Sequence, residues 1–153
     1  MRENGRTIIE TLAVLGIMGI MTIGAITIYT KARTNLLRMQ AISHINEIAD
    51  DTQTLFSGRE SYEGLNLSYL KRMGVIDHFN DPFGEEISIR PVQKATEFSI
   101  TYKGVSRGNC VYFGSLKWET ATAILINGNT VSLDEITMQC LEGTINNFTL
   151  YFQ

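Results

Sequence analysis

The sequence has few of the side chains on which catalysis depends. It contains two histidines and two cysteines in 153 residues, and neither a G-x-S-x-G nor an H-E-x-x-H motif. His44 and His78 lack partners at metal-ligand spacing, and we expect both at the surface. We expect Asp50-Asp51 and Glu85-Glu86 to be solvated charges rather than an acid/base pair. Asp77 and Asp81 are too few carboxylates for a Ca²⁺ loop. We therefore predict no enzyme activity, no metal and no cofactor.

Charge is absent from Thr11 to Thr30. At about 1.5 Å per helical residue, this run matches the roughly 30 Å hydrocarbon core of a bilayer. The run is too long for a cleaved secretory signal, and no A-x-A-like site follows it. A core helix that is apolar on all faces does not fit so small a protein. The run therefore predicts a membrane anchor, although the basic residues on its two sides do not decide its orientation: Arg2 and Arg6 before it, and Lys31, Arg33 and Arg38 after it.

A single carboxylate, Glu10, stands at the entrance of this run. An unpaired carboxylate taken deep into lipid costs about 2–3 kcal/mol or more, and less near the interface. The first turn of the helix lowers that cost, because the helix dipole favours negative charge there. An acidic residue in such a place is a candidate functional residue.

Cysteine is scarce, and neither sign of charge dominates. The balance of 13 basic against 16 acidic residues argues against a nucleic-acid surface. Cys110 and Cys140 both lie downstream of the apolar run. In an intracellular protein we would expect two free thiols, but in a domain exported behind a membrane segment we expect one disulfide. That bridge would close a loop of about 30 residues and stabilise the fold by about 3–4 kcal/mol.

Proline and glycine are missing from residues 35–56, where apolar residues recur every three or four positions. This periodicity predicts an amphipathic helix continuous with the apolar run, about 50 residues in all, that stops at Ser57-Gly58. The segments expected after it are a short helix near 68–73, a turn at 81–84, strands at 87–92, 97–102, 122–126 and 147–152, a short helix near Cys110, and a helix from a capping box at Ser132 through Cys140. This order predicts an α+β fold, in which one long N-terminal helix packs on an antiparallel sheet.

The N-terminal motif resembles that of type IV pilins and the pseudopilins of type II secretion. It consists of a short leader ending in Gly5 and an apolar helix that opens Arg6-Thr7-Ile8-Ile9-Glu10, with the acidic residue fifth after the glycine. Asn80-Asp81-Pro82-Phe83-Gly84 is similar to the N-P-[FW]-G turn of these proteins. The C-terminal half, with Phe98–Tyr102, Cys110, Leu116, Trp118, Cys140 and a final strand led by asparagine, is most similar to type IVb-like pilins.

The resemblance implies a processing route and a topology. Residues 1–5 would be a leader removed between Gly5 and Arg6 by a prepilin peptidase, and Arg6, where the family usually has Phe or Met, would be the N-methylated N-terminus. Residues 6–34 would be the transmembrane and assembly half of the helix, and residues 35–153 the globular pilin domain. The precursor would cross the bacterial inner membrane once, with its N-terminus cytoplasmic, before it enters a periplasmic or extracellular filament.

The resemblance also implies a function, that of a structural subunit of a pilus-like filament in adhesion, conjugation, motility or DNA uptake. A neighbouring subunit shifted along the helix axis could present its free N-terminal amine to Glu10, which makes Glu10 the assembly residue. The implied partners are further copies of the chain, minor pilins, the peptidase and the assembly platform. The alternatives are a minor pilin, a type II secretion pseudopilin and, in a different class, a monomeric membrane-anchored periplasmic binding module.

Overall fold

The computed structural model describes residues 4–143 and 146–153, and it describes side chains from Thr7 onward. By internal contacts the chain divides into a unit that ends at Leu37 and a second unit, Arg38–Gln153. The first unit consists of the N-terminal part of helix α1, which runs Asn4–Phe56. The predicted helix of about 50 residues is therefore confirmed, with 53 residues.

Within the second unit, α1 buries the stripe that its periodicity predicts. The buried positions recur at helical spacing: Ala41, Ile45, Ile48, Ala49, Thr52 and Phe56. The helix ends at Phe56, directly before the predicted stop at Ser57, whose amide donates to the carbonyl of Thr54 at 3.3 Å. The opposite face of this part of α1 is polar and exposed.

The described residues contain one antiparallel sheet of five strands in the order β1-β2-β5-β3-β4. The strands are β1 Ile87–Val92, β2 Glu97–Val105, β3 Ala121–Ile126, β4 Asn129–Thr130 and β5 Asn146–Phe152. The predicted hairpin is confirmed, since Val92 pairs with Glu97 across a turn of 3₁₀ helix at Gln93–Ala95. Alternate residues of β5 are buried, as the period of a strand requires, and the rings of Phe98 and Phe152 stack with centroids 5.3 Å apart in the core.

Three short helices complete the second unit: α2 Leu67–Arg72, α3 Arg107–Gly114 and α4 Ile136–Gln139. The prediction that a helix opens at Ser132 is wrong, because α4 begins four residues later. The Ser132 hydroxyl donates to the Glu135 carboxylate at 3.0 Å instead of accepting an amide of the first turn. The amide of Glu135 then bonds to the carbonyl of Ser132, so the segment forms a turn rather than a capped helix.

The predicted disulfide between Cys110 and Cys140 is confirmed, with an S–S distance of 2.00 Å. It joins α3 to the residue that follows α4, and both cysteines are buried. Because the bridge and the last strand hold the C-terminal segment against the same sheet, α3 and α4 have fixed positions on it.

Candidate functional site

The N-terminal part of α1 has the surface of a helix that needs an apolar partner. Every large apolar side chain from Ile8 to Tyr29 is more than half exposed, from 51% at Val14 to 75% at Ile20. Among the described residues one helix is long and apolar enough to cross a membrane, by length and composition, with a mean hydropathy of 2.1 in its most apolar window. Within the described residues, 0% of this window is buried.

The threonine hydroxyl groups of this segment donate hydrogen bonds to backbone carbonyls of their own helix. Thr11 donates to the carbonyl of Thr7 at 2.6 Å, Thr22 to that of Met18 at 2.7 Å, and Thr27 to that of Ile23 at 2.9 Å. A hydroxyl that is bonded inside its own helix needs no water. These threonines can therefore enter lipid or a bundle of helices without an unmet donor.

Three glycines leave room for another helix at the same surface. A Cβ atom built at Gly16, Gly19 or Gly24 would meet nothing within 4 Å. Small residues at such positions let the backbones of neighbouring helices approach closely in an apolar environment. The segment therefore presents an apolar surface with places for close packing between helices.

Glu10 lies in α1 immediately before the uncharged run Thr11–Thr30. Among the described side chains, the ion pairs are Lys103–Glu86 and Arg107–Glu142, and none involves Glu10. The backbone of Gly5 and Arg6 belongs to α1, whereas the side chain of Arg6 lies outside the described residues. The cleavage and methylation predicted at these two residues stay predictions.

The globular unit holds a polar cluster that the sequence did not reveal. His44, predicted at the surface, is half buried, and its Nδ1 lies 2.8 Å from the hydroxyl of Tyr102 on β2. Burial lowers the pKa of His44, while the carboxylates of Glu47 and Asp81 act in the opposite direction. The surface prediction is wrong because His44 lies at the edge of the buried stripe of α1, one residue before Ile45.

Asp81 is buried rather than available to a calcium loop. Its Oδ1 accepts the amides of Phe83 at 2.8 Å and Glu85 at 3.0 Å, which fixes the predicted turn. Burial raises the pKa of Asp81, and these backbone bonds partly offset that shift. Among the described residues, no three histidine, cysteine, aspartate or glutamate side chains form a group that could hold a metal ion.

Comparison with known proteins points to one family. No family model matches the chain. The chain is 27% identical, over 130 residues, to the major structural subunit of bundle-forming pilus from two Escherichia coli strains, O127:H6 and O111:H-, covering 78% of this chain and 67% of each relative.

Two solved structures share the fold. The first is a type IV b pilin from Salmonella typhi, with a TM-score of 0.61, 16% identity and coverage of 72% of this chain and 95% of that one. The second is TcpA, a type IV pilin from Vibrio cholerae El Tor biotype, with a TM-score of 0.61, 13% identity and coverage of 77% and 99%. The long N-terminal helix, the antiparallel sheet and the disulfide therefore make the fold of this chain that of a type IV pilin.

Proposed function

We propose that this chain is the structural subunit of a filament of the type IV pilus kind, held together by its N-terminal helices. The observation that carries the proposal is the exposed, uncharged surface of α1 with Glu10 at its entrance. The relation to the major subunit of a bundle-forming pilus supports it, and so does the pilin fold. Neither comparison favours a secretion pseudopilin.

The energetic argument for self-assembly starts from the cost of Glu10 in an apolar environment, about 2–3 kcal/mol or more for an unpaired carboxylate deep in lipid. We propose that cleavage between Gly5 and Arg6 creates a free amine, which a neighbouring subunit presents to Glu10. Within one helix, that amine and Glu10 are poorly placed to meet. A charge that the amine of a second copy neutralises would therefore favour a bundle of staggered helices over a single helix in lipid.

We further propose the remaining steps of the route. A prepilin peptidase removes residues 1–5, and Arg6 becomes the N-methylated terminus. Residues 6–34 anchor the subunit in the inner membrane, with the N-terminus cytoplasmic, and an assembly platform transfers it into the filament, where minor pilins join it. Residues 35–153, closed by the disulfide, form the outer surface of the filament.

The test is Glu10→Gln in the full-length chain, expressed in cells that assemble the filament. Gln keeps the size of the side chain and removes its charge, so burial in lipid becomes cheaper while pairing with an amine is lost. We expect sheared filaments to disappear while the membrane fraction retains the subunit with its disulfide. Asp51→Asn is the matched control, because it removes an exposed carboxylate of the same helix.

Filaments of normal number and length from Glu10→Gln would show that Glu10 does not direct assembly.

A separate measurement checks the processing step: intact-mass analysis of the subunit from peptidase-positive cells should give an N-terminus at Arg6 that carries one added methyl group. A subunit that retains its first five residues within the filament would contradict the proposed cleavage. A subunit that stays monomeric with Glu10 intact would favour the membrane-anchored binding module.

A further inference from the structure

The five-stranded sheet has one protected edge and one open edge. β1 forms the protected edge, where the amide of Ile87 bonds to the carbonyl of Phe79 at 3.0 Å. The strand also contains Pro91, a residue that sheets accept on edge strands and that hinders pairing with a further strand. A loop and a proline therefore protect this side of the sheet.

The opposite edge is covered along only part of β3. β4 has two residues, which pair with Leu125 and Ile126. The last bond of this hairpin runs from the amide of Val131 to the carbonyl of Ile124 at 3.2 Å. Residues 121–123 pair with β5 and, among the described residues, with no strand on the outer side. They include no charged residue and no proline, the features that keep natural edges from pairing.

A cavity of about 540 Å³ lies along this open edge. Residues 121–124 of β3 all line it, and so does Val131 on the other side of the hairpin. Because consecutive strand residues point to opposite faces, a cavity lined by all four reaches the edge of the strand. Its remaining apolar wall includes Trp118, Leu133 and Ile136. The open edge and the apolar cavity therefore form one groove, which we call the β3 groove.

The described lining of the β3 groove contains one charged residue, Lys117, which is exposed. Asp50 and Glu119 line a neighbouring cavity that Lys117 shares, but neither forms an ion pair with it. The groove thus combines an unpaired strand edge, an apolar cavity and a cation. An extended peptide matches all three features, since its backbone pairs with the edge, an apolar side chain enters the cavity and an acidic side chain meets the lysine.

We propose that the β3 groove binds an extended peptide of another protein by strand addition. The peptide pairs with residues 121–123, places a large apolar side chain against Trp118 and directs an acidic side chain toward Lys117. A second copy of this chain is a poorer match, because its β1 edge is protected and its β3 edge would bring a second Lys117 toward the first. The β3 groove lies outside the apolar part of α1, so the proposal does not depend on filament assembly.

The experiment uses the full-length protein in detergent micelles. Trp118 is the one tryptophan of the chain and lines the groove, so its fluorescence reports occupancy directly. The probes are synthetic heptapeptides, capped at both ends and free of tryptophan, in which threonine, valine and glutamate surround a central leucine, phenylalanine or alanine. We expect a saturable change with central leucine or phenylalanine and binding about tenfold weaker with central alanine.

Backbone N-methylation tests whether the peptide binds as a strand. Alternate amides of a strand point to opposite sides, so one alternate set faces β3 and the other faces away. We expect methylation of one set to abolish binding and methylation of the other set to leave it unchanged.

Two pairs of variants test the assignment of the groove. Leu133→Ser removes an apolar wall that is 74% exposed, and we expect binding about tenfold weaker; Met138→Ser, 73% exposed and outside the lining, is its control. Lys117→Glu should weaken binding about fivefold at low ionic strength, whereas Lys94→Glu, an exposed lysine on the β1–β2 hairpin, should not.

The proposal is overturned if no heptapeptide gives a saturable change, if both methylated sets bind equally, or if either groove variant binds as tightly as its control. It is also overturned if N-acetylleucinamide, which offers the side chain without a strand, binds as tightly as the heptapeptides. A fluorescence change on raising the protein concentration alone would identify a second copy as the occupant and would equally overturn it.

Discussion

Asn146 at the start of β5 is a buried side chain whose hydrogen-bonding capacity is fully used. Its Nδ2 donates to the carbonyls of Val105 at 3.0 Å and Leu141 at 2.9 Å. Its Oδ1 accepts the amide of Leu141 at 2.7 Å and the Nδ2 of Asn127 at 3.1 Å. One side chain thus joins the end of β2, the segment after the disulfide and the turn between β3 and β4.

Asn146→Asp keeps the shape of the side chain and removes both N–H donors of its amide. The carbonyls of Val105 and Leu141 then lose their partner, and each such loss costs about 1–3 kcal/mol where the group is buried. The new carboxylate oxygen also faces those carbonyls, in a position where the residue is 0% exposed. We expect the free energy of unfolding to fall by about 2–6 kcal/mol, a large share of the 5–15 kcal/mol typical of a domain.

The loss should depend on pH in a stated direction. Burial raises the pKa of the introduced carboxyl above its unfolded value of about 3.9. The folded state then holds more protons than the unfolded state between the two pKa values, so stability falls as pH rises through that window. The deficit relative to the unmodified protein should therefore be smallest below about pH 4 and constant above the raised pKa.

The assay is chemical denaturation of the full-length protein in detergent micelles, followed by the fluorescence of Trp118, the one tryptophan of the chain. Asn147→Asp is the control, because the neighbouring side chain is exposed and the same substitution there should change stability by less than about 0.5 kcal/mol. Equal stability of the two variants at pH 7 would refute the assignment of stabilising energy to the Asn146 hydrogen bonds.

Three further predictions concern the same unit. Replacing both Cys110 and Cys140 by Ser should lower the free energy of unfolding by about 3–4 kcal/mol, because the bridge closes a loop across a sequence separation of 30 residues. Urea titration of the oxidised protein and of the variant measures this difference. Gly114→Ala should lower the free energy of unfolding by about 1–3 kcal/mol, because the new Cβ would stand 2.9 Å from Ile136 of α4. Gly108→Ala is the control and should be tolerated, since the nearest atom to its Cβ is 3.7 Å away. Thermal unfolding compares the two variants. Since burial lowers the pKa of His44, the unfolded state binds more protons just below pH 6.5, so the melting temperature should drop as pH falls through that value and drop less in His44→Gln.

Periodicity predicted most of this fold because its signals are local. The stripe of α1, the alternation in β1, β2 and β5, and the turn at Asp81–Gly84 each follow from residues a few positions apart. The disulfide was predictable because two cysteines allow a single pairing. The order of the strands was not, since β5 inserts between β2 and β3 through long-range packing that leaves no local pattern.

The wrong predictions have different physical causes: a partner distant in sequence for His44, and a local hydrogen bond of another kind for Ser132. The sequence predicts His44 on a polar helix face, whereas in the structure it forms a hydrogen bond with Tyr102, 58 positions away. Ser132 and Glu135 fit a capping box, but the Ser132 hydroxyl donates a hydrogen bond to the Glu135 carboxylate and the segment remains a turn. Asn146 carried no signal in the sequence beyond its place before an apolar strand, because its four bonds come from three separate segments.

The N-terminal part of α1 presents a different problem, because no described part of the chain buries its apolar window. Exposed apolar side chains from Ile8 to Tyr29 form a surface larger than a soluble monomer tolerates, so lipid or other helices must cover it. Lipid covers the apolar residues as well as a helix does, so hydrophobicity alone cannot select a filament over a bilayer. In the assembly that we propose, Glu10 breaks that equivalence, since lipid offers it no cation and a neighbouring N-terminus would. On this proposal the choice between membrane and filament depends on one charge, which is why Glu10→Gln, rather than any apolar substitution, tests it.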